Sequence, residues 1–378
     1  MTAKPLDQLG ELNTPVRFLM GPGPSDCHPR VLRAMAQPLV GHLDPSFVQI
    51  LQDVKALLQA VLKTKNDMTL AISGTGSAGM ETLCANLLEP GDHAIIGVNG
   101  VFGGRMVDVA QRCGATVHKV EAPWGKPIDP QQIADALKVC PNPKIIAVVH
   151  AETSTGARTP LEEIGKLARA AGALFVVDAV TSVAGIDLRV DEWGIDALYS
   201  GTQKCLSCPP GLSPVTFSPR AMEAIKGRKT KCQSWYLDIG MIASYWGEDR
   251  MYHHTAPITM VYALREALRL VMEEGLEARF ARHAAMHLKL RGALEAMGIE
   301  FVVDEAYRLP QLNAVKVPEG IDELAWRKQL LNDYNIEIGA GLGAFKGKVW
   351  RIGLMGASCT PNHVNMLVAA LKDLRAKA

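Results

Sequence analysis

Neither sign of charge predominates in this chain: 40 basic against 39 acidic residues leave a formal net charge of +1. That balance argues against a surface that holds nucleic acid or a membrane through bulk charge. No apolar run is long enough to span a bilayer, and the opening Met-Thr-Ala-Lys-Pro-Leu-Asp-Gln has no apolar leader core. The closing Arg375-Ala376-Lys377-Ala378 is not a Ser-Lys-Leu type peroxisomal address. The expectation is a cytoplasmic protein with neither a nucleic-acid nor a membrane partner. Internal repeats and low-complexity tracts are missing as well. The eight cysteines are scattered and, without a secretion signal, are expected to be reduced, several as buried free thiols. Cys205-x-x-Cys208 lacks the second Cys/His pair of a zinc site and the following helix start of a redox motif. His283-x-x-x-His287 sets two imidazoles on one helical face with no third ligand, so a solvated helix face is expected there.

What is present is ordinary for a large globular core, with 48% hydrophobic and 21% charged residues over 378 positions. That length implies two domains. Residues 1–20 read as an N-terminal arm, 21–274 as a large domain and 275–378 as a smaller one. Met20-Gly21-Pro22-Gly23-Pro24-Ser25 is a rigid turn, because prolines fix φ and glycines permit close backbone approach. Helical spacing runs over 31–35 and 47–62, with Gly41-His42-Leu43-Asp44-Pro45 as the interruption. Strands at 68–73, 93–98, 116–120, 144–150, 174–177, 197–199 and 215–217 alternate with helices at 80–88, 102–113, 130–139 and 160–171. Solid apolar strands between helices imply an α/β fold with a mostly parallel sheet covered on both faces. A helical pattern over 257–273 continues over 276–297 after Gly275. Then strands at 300–303, 313–317, 336–338 and 349–353, with helices at 322–332 and 361–374, suggest a small α+β unit with an antiparallel sheet.

Four features fall at strand ends or just beyond them. Gly74-Thr75-Gly76-Ser77-Ala78-Gly79 joins a strand to a helix, where free N–H groups, the helix dipole and the Thr75 and Ser77 hydroxyls suit a phosphate. Alone it reads equally well as a helix cap. His150-Ala151-Glu152-Thr153-Ser154-Thr155-Gly156 is a hydroxyl-rich loop. Asp178 closes an apolar strand. Lys204 sits in the loop after the strand at 197–199, before Pro209-Pro210-Gly211. Singly, Asp178 reads as a buried strand-end acid and Lys204 as a surface lysine. Strand C-termini of a parallel sheet gather at one edge, so together they place a phosphate site, a carboxylate and an amine in one cleft. Pyridoxal phosphate needs all three: it carries a phosphate, a ring nitrogen to be kept protonated, and an aldehyde that condenses with lysine. Phe102 could stack on the ring, and Thr153 could donate to the ring hydroxyl. A dinucleotide fingerprint is the rival reading of the glycine loop, and would make the protein an NAD-dependent dehydrogenase. Its ribose-binding acid is missing, since the second strand ends at Val98-Asn99-Gly100.

Longer segments carry a family resemblance: Leu87-Leu88-Glu89-Pro90-Gly91-Asp92, Glu152-Thr153-Ser154-Thr155-Gly156, and Gly194-Ile195-Asp196-Ala197-Leu198-Tyr199-Ser200-Gly201-Thr202-Gln203-Lys204. Tyr236-Leu237-Asp238-Ile239, Met251-Tyr252-His253-His254-Thr255-Ala256-Pro257 and Arg351-Ile352-Gly353-Leu354-Met355-Gly356 belong to the same set. With them the chain resembles, over nearly its whole length, the class V, fold type I pyridoxal-phosphate aminotransferases, closest to the alanine–glyoxylate and serine–pyruvate enzymes. The resemblance implies a seven-stranded, mostly parallel sheet sandwiched by helices. It implies Lys204 as the Schiff-base lysine, Asp178 as the pyridinium partner, Gln203 at the phosphate and Thr153 at the ring hydroxyl. Thr75, Gly76 and Ser77 fill the phosphate-loop positions, although close relatives have histidine where this chain has Ser77. Phe102 stands where they have a stacked tryptophan, and Val180 joins the cofactor-binding set. Tyr252 and Thr255 would reach the phosphate of a partner subunit, making an obligate homodimer. Arg351 would clamp the substrate carboxylate in a pocket that includes Gly23 and Thr153; by itself it reads as a structural ion pair.

The activity so implied is ping-pong transamination from alanine or serine to glyoxylate or pyruvate. A cysteine desulfurase is disfavoured, because residues 339–348 contain no cysteine and Cys359 lies after Arg351. A transaminase for 2-aminoethylphosphonate or ureidoglycine stays open, with His42 as a position to watch beside its plain reading as a helix cap. A non-catalytic protein on the same fold is disfavoured by the intact lysine–aspartate pair.

Overall fold

Solid apolar segments bounded by polar turns assemble at the centre of the molecule into a seven-stranded sheet, in a computed structural model that describes residues 9–247 and 251–377. Its strands in chain order are β1 (Met68–Ser73), β2 (His93–Val98), β3 (Thr116–Glu121), β4 (Ile145–Val149), β5 (Leu174–Asp178), β6 (Ala197–Tyr199) and β7 (Leu212–Phe217). Side by side they lie in the order β1-β7-β6-β5-β4-β2-β3. Neighbours run parallel except where β7 is one of the pair. β4 and β5 are buried along their whole length, as central strands are when helices cover both faces. The expected sheet is therefore the observed one. The direction of β7 has a local cause. Residues 200–211, which hold Gln203 and Lys204, contain no crossover helix, and a connection without one returns the chain antiparallel beside the strand it left.

Helix starts follow from local chemistry. Asp44, Asp129 and Ser218 each cap a helix whose first turn contains proline, and each such cap contributes about 1 kcal/mol. The helix Gly76–Leu87 begins earlier than the apolar pattern from residue 80 suggested. Gly79 explains the shift: a Cβ there would lie 2.1 Å from Ser213 Oγ and 2.9 Å from Tyr199 Cβ. The glycine therefore lets the helix sit directly on β6 and β7 rather than extending the loop. Helices Pro219–Lys226 and Ile239–Trp246 were not anticipated; each is too short for a clear period.

A second, antiparallel sheet pairs Leu312–Lys316 and Gly339–Ala340 with Val349–Gly353. Its own apolar cluster includes Leu330, Trp350, Ile352, Leu367 and Leu371. Met20 belongs to that cluster, and Phe18–Leu19 pairs in parallel with Ile336–Glu337. The end of the expected arm is thus tied to the small sheet, while residues 1–8 lie outside the described residues. The strand expected over 300–303 is reduced to one bridge, Phe301 to Val315, because the chain bends away toward the short 3-10 turn Glu305–Tyr307.

His283 and His287 correct an expectation. They do not form a solvated face: both are buried in the helix Leu276–Ala296. His283 Nδ1 donates to the Arg279 carbonyl at 2.8 Å and its Nε2 accepts from the Gly356 N–H at 3.1 Å. His287 Nδ1 donates to Asn313 Oδ1 at 2.6 Å. Desolvation holds His283 neutral, with its pKa pushed down to about 3.

Candidate active site

At the C-terminal edge of the parallel strands lies a cavity of about 230 Å³. Thr75, Gly76 and Ser77 reach it from the turn after β1, and Phe102 from the start of the helix Val101–Arg112. Thr153 enters from the loop after β4, Asp178 and Val180 from the end of β5, and Gln203 and Lys204 from the loop after β6. These nine residues come together because parallel strands deliver their ends to one edge.

Lys204 is buried, and its Nζ donates to the Pro22 carbonyl. Desolvation, aided by the positive charge of Arg351, lowers its pKa to about 8, so the free amine is accessible near neutral pH. The turn before it holds it there. Ser25 N donates to the Gln203 carbonyl at 2.9 Å and Ser25 Oγ to the Lys204 carbonyl at 2.8 Å. Gly23, at φ +114°, lies so close that a Cβ would stand 2.5 Å from Lys204 Nζ; a side chain there would be strained and would also displace the amine.

Asp178 is buried beside it. Val180 N donates to its Oδ1 at 2.9 Å and Tyr199 Oη to its Oδ2 at 2.5 Å. Burial nevertheless raises its pKa to about 6, an environment that a protonated ring nitrogen would relieve.

Thr75 is the N-cap residue of the helix Gly76–Leu87, and its side chain makes no cap hydrogen bond. Buried nearby, Gln203 Oε1 has no partner among the described residues. A Cβ on Gly201 would fall 2.8 Å from that atom. This end of the cavity therefore offers a helix N-terminus and a hydroxyl as donors to an anionic group; Gln203 Oε1 is an acceptor, and its amide joins them only when turned so that its NH2 faces the cavity.

Phe102 is half-buried, with the Arg105 guanidinium 4.9 Å from its ring centre. A residue given no role from the sequence holds this corner. Glu152, fully buried, accepts from Phe102 N at 3.2 Å and Gly103 N at 3.3 Å through Oε2. Its Oε1 accepts from Ser154 Oγ at 2.6 Å. Desolvation raises its pKa. Tyr199 and Arg105 were likewise unassigned. The signal for Glu152 in the sequence was its place at the head of Glu152-Thr153-Ser154-Thr155-Gly156; in the structure a Cβ on Gly100 would lie 2.5 Å from Glu152 Cδ.

Arg351 is buried on the small sheet yet points its bonds toward the cavity loop, with Nε donating to the Ala340 carbonyl at 2.7 Å and Nη1 to the Thr153 carbonyl at 3.1 Å. It has no ion-pair partner among the described residues, so the plain reading of a structural ion pair does not hold. Desolvation lowers its pKa to about 10, opposed by Glu152. A buried guanidinium without a counter-ion suits an arriving carboxylate.

Tyr252 and Thr255 do not line the cavity. Tyr252 is exposed and its Oη lies 3.5 Å from Thr255 Oγ1. His42 packs near it, ring centres 5.2 Å apart with the planes tilted by 54°. His42 does not cap the following helix; Asp44 does. Cys205 and Cys208 are buried free thiols with raised pKa values, inert by environment.

The residues present thus fit pyridoxal phosphate: a desolvated amine, a buried carboxylate and a helix N-terminus without a side-chain cap share one cavity. The family profile for "Aminotransferase class-V" matches residues 18–357. The (S)-ureidoglycine–glyoxylate transaminase of Bacillus subtilis is 42% identical over 380 aligned positions, covering 96% of this chain and 91% of its own. The alanine–glyoxylate aminotransferase of Felis catus is 41% identical, over 99% and 91%. The crystal structure of an alanine–glyoxylate aminotransferase from Nostoc sp. superposes with a TM-score of 0.96 at 48% identity, covering 99% of both chains.

Proposed function

The chain belongs to the class-V aminotransferases, and from that footing we propose that it carries an amino group from a small amino acid, alanine or serine, to glyoxylate or pyruvate in a ping-pong cycle. It is a pyridoxal-phosphate-dependent aminotransferase; the substrates are our reading. The observation that carries it is the shared cavity of Lys204 and Asp178. Glyoxylate leads among the acceptors because the three relatives named above are all glyoxylate enzymes.

When bound, pyridoxal phosphate supplies an electron sink for negative charge developing at the substrate's Cα. The helix start at Thr75–Ser77 and the Gln203 amide would hold its phosphate, Asp178 its ring nitrogen, Thr153 its ring hydroxyl, and Phe102 and Val180 the ring itself. Lys204 would carry the covalent link between turnovers. Lys204 Nζ would also take the substrate's α-proton as general base and later return it as general acid. Its depressed pKa keeps both forms available near neutrality. Arg351 fixes the substrate carboxylate, and Gly23 leaves the room above Lys204 that a small substrate needs.

Tyr252 and Thr255, exposed and not part of the lining of their own cavity, would complete the site of a second copy, which would make the working unit a homodimer. Eight unpaired cysteines suit the reducing cytoplasm. Among the described residues no helix is long and apolar enough to cross a membrane. A second reading takes ureidoglycine as donor, supported by the 42% identical relative. A spectral titration tests both. The purified protein should absorb in the visible, bleach with its true amino donor and recover with glyoxylate. Lys204→Ala should abolish turnover; retention of transamination by that variant would reject the scheme.

A further inference from the structure

At the opposite edge of the main sheet from the cavity, three side chains from three elements converge. His93 opens β2, His118 lies in the edge strand β3, and Cys140 terminates the helix Pro130–Val139. One ring nitrogen from each histidine and the sulfur all lie within 4.8 Å of one another. His93 Nδ1 and His118 Nε2 face each other at 3.1 Å. Two nitrogens bound to one tetrahedral zinc at about 2.0–2.1 Å stand roughly 3.3 Å apart, so the pair needs little movement to become ligands. The strand pairing explains the fit. His93 is in register with Thr116, which places His118 two positions further along the neighbouring strand and therefore on the same face. Cys140 is a buried free thiol, while both imidazoles are partly exposed and leave a path from solvent.

We propose that His93, His118 and Cys140 form a binding site for one divalent zinc-like ion, with water as the fourth ligand. Two imidazoles and a thiolate are a zinc set in both softness and number, and the fourth position stays open. The balance is simple. Binding breaks the Cys140 S–H bond and releases that proton to solvent. The imidazole that donates in the empty site moves its proton to its other ring nitrogen, so both facing nitrogens present lone pairs. The ion would tie the edge strand β3 to β2 and to the helix that follows β3. None of the three ligands lines the cavity, so the ion would take no direct part in transamination.

The test uses holoenzyme stripped of metal by a chelator and titrated with Zn2+ or Co2+ alone. The expected result is one ion per chain, with tetrahedral Co2+ bands and a thiolate-to-metal charge-transfer band. Cys140→Ser should lose that band, and Cys140→Ser and His118→Gln should each weaken binding at least about tenfold. Both variants should keep transamination, which also reports that they fold. His254→Gln, in the separate His253–His254 pair, should bind as the parent does. X-ray absorption on the unmodified zinc protein should show one sulfur beside nitrogen ligands. No stoichiometric uptake, uptake undiminished in both ligand variants, or a zinc shell without sulfur would each overturn the proposal.

Discussion

Asp178 and Tyr199 are partners twice over: they face each other in the register of β5 and β6, and the phenol donates to the carboxylate at 2.5 Å. The Tyr199 bond favours the ionised acid while burial opposes it, and burial dominates, lifting Asp178 from 3.8 to about 6. Removing the phenol tips that balance further. Tyr199→Phe should leave the fold intact, since the ring still packs, yet weaken retention of pyridoxal phosphate roughly 10- to 100-fold, as a charge-assisted hydrogen bond of about 1.5–3 kcal/mol implies. Equilibrium dialysis of the coloured protein measures it.

Asp178 also sets a trade between stability and activity. Its folded pKa lies above its unfolded one, so between about pH 4 and 6 the folded chain holds the extra proton. Stability of the cofactor-free protein therefore falls as pH rises through that window, and the whole penalty is present at pH 7. Asp178→Asn should stabilise the cofactor-free protein at pH 7 by up to about 3 kcal/mol, with the gain vanishing below pH 4. The same variant should lose most of its transamination. Denaturant titrations at pH 4 and 7, beside an activity assay, check both halves.

Lys204 has the opposite sign. Its folded pKa is depressed from 10.5 to about 8, and only the neutral amine attacks an aldehyde. Mixing cofactor-free protein with pyridoxal phosphate should give a colour-forming rate that climbs with pH up to about 8 and then levels. Stopped-flow absorbance reads it, and a rate still climbing toward pH 10 would contradict the desolvated environment.

Arg351 offers a planar fork and a buried charge. Arg351→Lys keeps the charge but loses bidentate geometry. KM for both amino and keto substrates should rise roughly 10- to 100-fold, with kcat changed less. Unaltered KM values in steady-state assays would remove Arg351 from the carboxylate role.

The shared-site dimer is open to complementation. A hybrid of one Lys204→Ala chain and one chain carrying Tyr252→Ala with Thr255→Ala should regain activity that neither homodimer has, because one site then receives an intact lysine and an intact partner loop. Hybrids as inactive as their parents would show that Tyr252 and Thr255 serve their own chain.

Much of the architecture was legible in order along the chain. Continuous apolar strands such as 145–149 can only be buried on both faces, and Asp129 before Pro130 marks a helix start by local hydrogen bonding. What depends on nearest neighbours in sequence was readable from sequence. Gly79 was read as loop because its reason, the approach of β6 and β7, lies far away in the chain. His283 and His287 were read as solvated because a four-residue spacing names a helix face but not what covers it.

The sequence by itself determined the mostly parallel sheet, the lysine after β6 and the acid ending β5, since period and turn chemistry are local. Only the tertiary structure decided that Lys204 is desolvated, that Glu152 holds the corner beside Phe102, that Arg351 is buried with no ion-pair partner among the described residues, and that His93, His118 and Cys140 meet. Those are properties of the field and the packing around a group, set by residues distant in sequence, and no pattern within a single segment encodes them.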